Sequence, residues 1–517
     1  MTETQSDRKT LWWLLLFAAA VRVFFLLISV NATSDGPPRA IYAGDWAQNP
    51  TLITHGHWLP LQLYLSGLLL MVWDNIWVAP RIVSLVFGVT TVWPFWRLTR
   101  LQFSREVSLA ASFLFILYGL HIAQSVVASA EAVFLFVVLW AMYFFCRWWT
   151  TQETASLVWS ALLWWPAVWS KPEAWWLAAS SVLFVMARRR FAPVMIYGGL
   201  VALGPISWML ACWLIKGDPL LTFHSTASAV GSAYHARSAL YKIAIWPVSL
   251  LLSLGPVVLL LGLAGLWSAL RERKHLVLVA FLVGYVAPFW ALQLAGSSGA
   301  RARHTLFIGT LLLPFAAYAA ESRVRNLPRW SAIAGAVWLV IILTLGETRF
   351  GEISQKFSSI SPRPRERWHV TEVTDWVRQN AKPTDHVVVD CFNDEESSLQ
   401  YQVRLPPAQV RIYWSPKQSV ADTLQPPPRF VVCAKNGAIV PGLGLDWEAE
   451  RQQTHGLEFI RRYTNEVYAV FEVSSQQHLG AAVISRALRA FEHADDVQAE
   501  FTVGKGFLTG ADALQEM

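Results

Sequence analysis

Between residues 11 and 346 the chain is a succession of apolar runs almost free of charged side chains. A helix needs about 20 such residues to cross the roughly 30 Å hydrocarbon core of a bilayer. The runs predict spans near 11–30, 78–97, 107–123, 127–146, 156–170, 173–187, 192–215, 245–268, 276–296, 303–320 and 330–346, about eleven in all. The stretch 155–188 divides at Ser170-Lys171-Pro172-Glu173, which leaves two short spans. A soluble chain of 517 residues would form two or three domains, but 54% hydrophobic residues in blocks exclude that class. The 28 Trp suit many membrane interfaces, where indole prefers to sit. No small-residue cleavage site follows the first run, so it reads as a retained helix.

The basic residues set the topology. With Arg8 and Lys9 in the cytoplasm, alternation sends inward the loops holding Arg97, Arg100 and Arg105; Arg147; Arg188, Arg189 and Arg190; Arg271, Arg273 and Lys274; and Arg323, Arg325 and Arg329. Five successive inner loops are basic, as the positive-inside rule requires. The net charge of +7 is therefore a membrane signature and excludes a nucleic-acid partner. The C-terminal region falls outside, and the chain reads as a multi-pass protein of the inner (plasma) membrane.

The outer side then collects the loop 31–77, the turn His121–Val126, Lys171 and Glu173, the loop 216–244 and Ser297–Arg303. In the first loop, 59–73 (LPLQLYLSGLLLMVW) is apolar but short, and reads as a helix dipping into the interface. Tyr42–Thr54 reads as another short helix, and SDGPP at 34–38 as a turn. From about 351 the pattern changes: WHVTEVTDWVRQN has helical spacing, while DHVVVDC, FVVCA, LEFIRRY and EVYAVFEV read as strands. The domains are thus 1–350, transmembrane; 351–473, a small extracytoplasmic α/β domain; and 474–517, a polar tail. Cys391 and Cys433 end two of those strands, where an oxidising compartment would allow a disulfide. The fold class is mainly α: a polytopic helical bundle followed by a small α/β domain.

An ionisable group at the membrane needs a reason to be there. Asp45, in Tyr42-Ala43-Gly44-Asp45-Trp46, is placed to take a proton from an acceptor, unless it is simply a solvated loop acid; Asp35 is the alternative. His55 and His57 form an HxH pair suited to a phosphate, a sugar or a metal, although no D-x-D pair accompanies them. Arg301, Arg303 and His304 sit at an outer helix end, and Lys171 at another. Outer cations suit a lipid phosphate, since guanidinium forks match its oxygens; snorkelling to headgroups is the plain alternative. Arg22 serves either that phosphate or Glu131, and Glu131 either the site or a buried pair with Arg or Lys. The loop with Tyr234, His235 and Arg237 reads as a cover. No P-loop, G-x-G-x-x-G or G-x-S-x-G supplies a nucleotide site, so a donor reached from the outer leaflet fits better than a nucleotide sugar.

Several segments in order carry a resemblance. They are Arg22 in the first span, Asp45 in the long loop, GHWLPLQLYLSGLLL, Ala79-Pro80-Arg81-Ile82-Val83-Ser84-Leu85, LYGLHIAQSVVASAEAVFLF, SKPEAWWL, GDPLLTFH and ARHTLFIGTLLLPFAA. Across 1–346 the chain resembles the GT-C integral membrane glycosyltransferases, in the branch of protein O-mannosyltransferases and bacterial aminoarabinose transferases. The resemblance implies an inverting transfer of a sugar from a polyprenyl phosphate to a protein, lipid or glycan, with no cofactor. It implies Asp45 as catalytic base and Arg303, with Lys171 and Arg301, at the donor phosphate. His55, His57, Tyr64, Glu131 and His304 would line the substrate pocket. Two departures are visible: Trp46 stands where the family often has Glu, and Trp58-Leu59-Pro60-Leu61 replaces a Lys-Pro-Pro stretch. The second argues against lipid A aminoarabinose as product. The rival reading is a lipid or glycan transporter or flippase without chemistry, which should show internal repeats and mid-membrane polar groups.

Overall fold

The computed structural model describes residues 5–29, 31, 35–187, 191–235, 238–295, 301–345, 369–390, 396–413, 424, 426–435 and 437–475. The chain divides into two compact units, Met1–Ser29 with Tyr42–Pro362, and Val30–Ile41 with Arg363–Met517.

The first unit is helical. Its helices are α1 (Gln5–Ile28), α2 (Gly36–Gln48, begun in the other unit), α3 (Leu61–Val72), α4 (Ala79–Thr90), α5 (Val92–Gln102), α6 (Arg105–Ile116), α7 (Gly119–Val126) and α8 (Ala130–Thr151). They continue as α9 (Thr154–Val168), α10 (Glu173–Ala187), α11 (Phe191–Lys216), α12 (Leu221–His235), α13 (Ala239–Leu254), α14 (Pro256–Glu272), α15 (Leu276–Leu294), α16 (Leu306–Ala320) and α17 (Leu327–Leu345). Every expected apolar segment is helical. Among the described residues, six helical stretches reach a full membrane crossing by length and composition, or eight if each of two bent pairs counts as one span. The remaining segments α9, α10 and α16 have 15 residues each, a rise of about 22 Å at 1.5 Å per residue.

Two expected spans are broken. The run 245–268 is two helices, α13 and α14, bent by 112°. Gly255 takes φ +81° there, a left-handed conformation open to glycine, and Pro256 follows at the first position of α14. A Cβ at Gly255 would also lie 2.6 Å from the Trp338 ring. The run 107–123 bends by 54° between α6 and α7. The short helix in the first loop covers Gly36–Gln48, where Tyr42–Thr54 was expected, because Pro37 and Pro38 open a helix instead of closing a turn.

Buried and exposed faces agree with a multi-pass membrane protein. α16 is buried along its whole length except Tyr318, so its apolar surface faces protein on all sides. Outer helices instead expose large apolar groups, among them Trp12, Leu27, Leu214, Leu260, Trp267 and Val340. The N-terminal segment and the basic loops near 97–105 and 271–275 meet at one end: Arg100 and Arg105 each approach Asp7 at 3.6 Å, and His275 stacks on Phe103.

The second unit is a six-stranded sheet in the order β2-β1-β3-β6-β5-β4, with strands β1 (Val387–Asp390), β2 (Val410–Tyr413), β3 (Phe430–Ala434), β4 (Arg451–Thr454), β5 (Leu457–Thr464) and β6 (Tyr468–Ser475). β1 pairs in parallel with β2 and β3, and the rest is antiparallel. β1 and β3 are buried on both faces, which is why VVVD and FVVCA read as continuous apolar runs. Helix His369–Asn380 covers one face through Val370, Val373 and Val377. Ile439 and Leu443 cover the other. Cys433 is buried there, while Cys391 lies outside the described residues. Of the expected tail 474–517, all after Ser475 also lies outside them.

Candidate functional site

Helix ends and the turns beside them carry the charged groups that meet at the candidate site. α9 stops at Val168 because Pro172 forbids its continuation, and the break Trp169–Pro172 holds Lys171 side-on to the bundle. Lys171 Nζ lies 3.0 Å from Glu131 Oε1, at the start of α8, and 3.0 Å from Glu173 Oε1, at the start of α10. Both carboxylates sit in a first helical turn, where backbone N–H groups favour negative charge. Arg303 Nε approaches Glu131 Oε1 at 3.4 Å, and His304 Nε2 approaches Glu173 Oε1 at 3.9 Å.

Arg303 and His304 belong to a 3-10 turn, Ala302–Thr305, that leads into α16. Tyr285 of α15 fixes that turn by donating its hydroxyl to the His304 carbonyl at 2.8 Å. Phe289, one turn on, meets the His304 ring edge-on at 4.9 Å. The Lys171 ammonium also lies 5.7 Å over the Phe134 ring. Three of the groups, Glu131, Lys171 and Glu173, are buried. Two carboxylates and two permanent cations therefore offset one another where an unpaired charge would be costly.

The first loop builds the other half. Trp46, next to Asp45, stacks on Tyr64 of α3 with ring centroids 5.0 Å apart, and its indole N–H donates to the Thr51 carbonyl at 2.8 Å. Gly67 makes that approach possible, since a Cβ there would lie 2.2 Å from the Trp46 ring. His55 stacks on Trp58 at 4.4 Å and meets His57 at 4.1 Å and Tyr42 at 4.8 Å. Asp45 is exposed beside this group, and its carboxylate has no hydrogen bond or ion pair with any described residue. Partial burial raises its pKa, and its charge in turn helps to raise that of Tyr42.

The two halves lie at the same end of the bundle. The Leu61 N–H donates to the Trp169 carbonyl at 3.0 Å, two residues before Lys171. Ile53 and Leu59 pack with Trp208 and Cys212 of α11 and with Trp169 and Trp175. Gly56 lies against Ser225 of α12. This end is opposite to the one where Asp7, Arg100 and Arg105 meet.

Other expected residues fall elsewhere. Arg22 does not pair with Glu131. It is wholly buried, with Nη2 2.7 Å from His121 Nδ1 and Nη1 donating to the carbonyls of Ala18 at 3.3 Å and Ile116 at 3.4 Å. Carbonyls and a ring nitrogen within reach of α1 take its two terminal nitrogens, where a carboxylate was expected. Asp35 lies 4.0 Å from Arg39 on its own helix. Arg301 is half-buried at the entry to the 3-10 turn. The side chains of Tyr234, His235 and Arg237 lie outside the described residues. Among the described residues no three His, Cys, Asp or Glu side chains gather as metal ligands. Sequence reasoning gave Glu173 no role, and nothing pointed to Tyr285, which sits within an apolar run.

An apolar helical bundle with one polar end, followed by an α/β unit, gives the chain a GT-C-like fold. The structure is similar to that of ArnT from Cupriavidus metallidurans bound to undecaprenyl phosphate, with a TM-score of 0.59 and 10% sequence identity over 90% of this chain and 98% of that one. The apo state of that protein gives 0.59 and 11%, over 89% and 97%. The AglB oligosaccharyltransferase of Archaeoglobus fulgidus, in complex with an inhibitory peptide and a dolichol-phosphate, gives 0.48 and 13%, over 83% and 70%. No family model and no curated protein matches the sequence.

Proposed function

We propose that this protein transfers a sugar from a polyprenyl-phosphate donor to an acceptor at the outer face of the membrane, with inversion at the anomeric carbon. One observation carries the reading: an accessible acid, Asp45, lies at the same bundle end as the Lys171–Arg303 cluster, in a fold shared with a protein crystallised with undecaprenyl phosphate.

The acceptor oxygen attacks the anomeric carbon as the bond from that carbon to the phosphate oxygen breaks. The acceptor proton goes to Asp45, and the electron pair leaves with polyprenyl phosphate. A general base at this position contributes about 10²–10⁴-fold. Arg303, with Arg301 beside it, faces the charge that grows on the leaving phosphate. Lys171, clasped by Glu131 and Glu173, acts as a helper that holds Arg303 through Glu131. His55, His57, Tyr64 and His304 shape the pocket, and no metal or organic cofactor takes part. The donor enters from the outer leaflet, the N-terminus lies in the cytoplasm and the α/β unit outside.

The test is incubation of the purified full chain with a panel of polyprenyl-phosphate sugars and candidate acceptors, scored for lipid-phosphate release. Release that depends on an acceptor supports the reading. Movement of the lipid across a bilayer without cleavage supports the transporter instead.

A further inference from the structure

Four charged groups of the candidate site are already committed to one another. Lys171 is shared by Glu131 and Glu173, and Arg303 leans on Glu131. An incoming phosphate must compete with those carboxylates. A buried cation at the same end of the bundle is not committed in this way.

Lys242 lies in the first turn of α13 and is only 9% exposed. Its ammonium makes no hydrogen bond or ion pair with any described residue. Its backbone is held firmly: the Lys242 N–H donates to Ser238 O at 3.2 Å, and Gln293 of α15 donates to the Lys242 carbonyl. α13 packs on the 3-10 turn that carries Arg303 and His304. One turn below Lys242, Trp246 stacks on Phe289 at 5.2 Å, and the other edge of that contact is His304. The lysine is thus carried by a helix that packs on the turn holding Arg303 and His304, where Glu131 and Glu173 are already paired.

An ionisable group buried in a membrane protein without a counter-charge is costly and marks a place where an anion arrives. We infer that Lys242 supplies a further positive charge that, with Arg303, holds the phosphate of the polyprenyl donor, while Lys171 serves to clamp the two carboxylates. This deepens the donor reading proposed above and rests on it. The shared chemistry is a lipid-borne phosphate ester, which an ordinary phospholipid headgroup also carries.

The experiment uses the full chain in phosphatidylcholine nanodiscs, with undecaprenyl phosphate as probe. Wild type should bind it, Lys242→Met should bind at least about tenfold more weakly, and Lys242→Arg should stay within about threefold, as expected for loss or retention of one charge-assisted contact. Without ligand, Lys242→Met should melt no lower than wild type, because it removes a charge that has no partner among the described residues. Exchange of half the phosphatidylcholine for phosphatidylglycerol should leave the probe bound. Equal binding by Lys242→Met overturns the inference, as does a lowered melting temperature, which would make the lysine a structural clamp. Displacement by phosphatidylglycerol overturns it in favour of a headgroup site. Absence of binding by wild type removes the donor reading itself, a result distinct from the others.

Discussion

Lys171 and Glu131, forty residues apart, meet at 3.0 Å inside the bundle, and Glu173 takes the other side of the same ammonium at 3.0 Å. Lys171→Met would leave two carboxylates buried around an absent charge. Breaking a buried pair from one side costs about 3–5 kcal/mol. The variant should melt well below wild type in detergent, and adding Glu173→Gln should recover part of the loss. An unchanged melting temperature would show that the contact contributes nothing to the bundle.

Asp45 has the opposite character: exposed, near the cluster's end and without a described partner. Asp45→Asn should lower transfer by about 10²-fold or more, the share of a general base, while expression and melting temperature stay at wild-type levels. Turnover like that of wild type would remove Asp45 from its role.

The raised pKa of Asp45 gives a pH dependence with a definite sign. Its basic form is lost as pH falls through that raised value. The acid limb of kcat/KM should therefore lie above the ordinary Asp value of about 3.9. A limb at or below that value would contradict the assignment.

Gly67 tests how Asp45 is held. A methyl group there would meet the Trp46 ring at 2.2 Å and displace the residue next to the acid. Gly67→Ala should cost about 1–3 kcal/mol by overpacking. Transfer, measured as lipid-phosphate release below the melting range, should fall more than the folded fraction does.

In the second unit, the buried Asp390 carboxylate accepts from the backbone N–H groups of Ala438 at 2.9 Å and Ile439 at 3.2 Å. Asp390→Ala strands those donors and should destabilise this unit by about 2–4 kcal/mol. Limited proteolysis should then cut within 369–475 before it cuts the helical unit. Cleavage at the wild-type rate would show that water replaces the carboxylate.

Much of the fold was legible because apolar blocks and basic loops follow from the bilayer itself. β1 and β3 were legible because a strand buried on both faces reads as an apolar run, and β5 and β6 because they are long. β2 and β4 were not: each is only four residues at a sheet edge, and RQQT buries none of its side chains. The bend at Gly255-Pro256 was written in the dipeptide, but the surrounding apolar run masked it. Pro37 and Pro38 signalled a helix start and were read as a turn. In the site, residue types at helix ends brought out Asp45, Lys171 and Arg303. The pairings did not emerge, since contacts such as Glu131 with Lys171 depend on how α8 packs beside the break after α9. Lys242 gave no signal, as a lysine beside an apolar run looks the same whether it is buried or snorkelling.

Sidedness bears most directly on the proposed chemistry, because a donor in the outer leaflet can reach only a site on that face. Asp45→Cys and Lys274→Cys, each in a chain with Cys146, Cys212, Cys391 and Cys433 replaced, can be treated in intact cells with a membrane-impermeant maleimide. Both positions are exposed, and they lie at opposite ends of the bundle. The expected result is labelling of Asp45→Cys from outside and of Lys274→Cys only after permeabilisation. Labelling of Lys274→Cys in intact cells, with Asp45→Cys protected, would put the candidate site on the cytoplasmic face and contradict the proposed function.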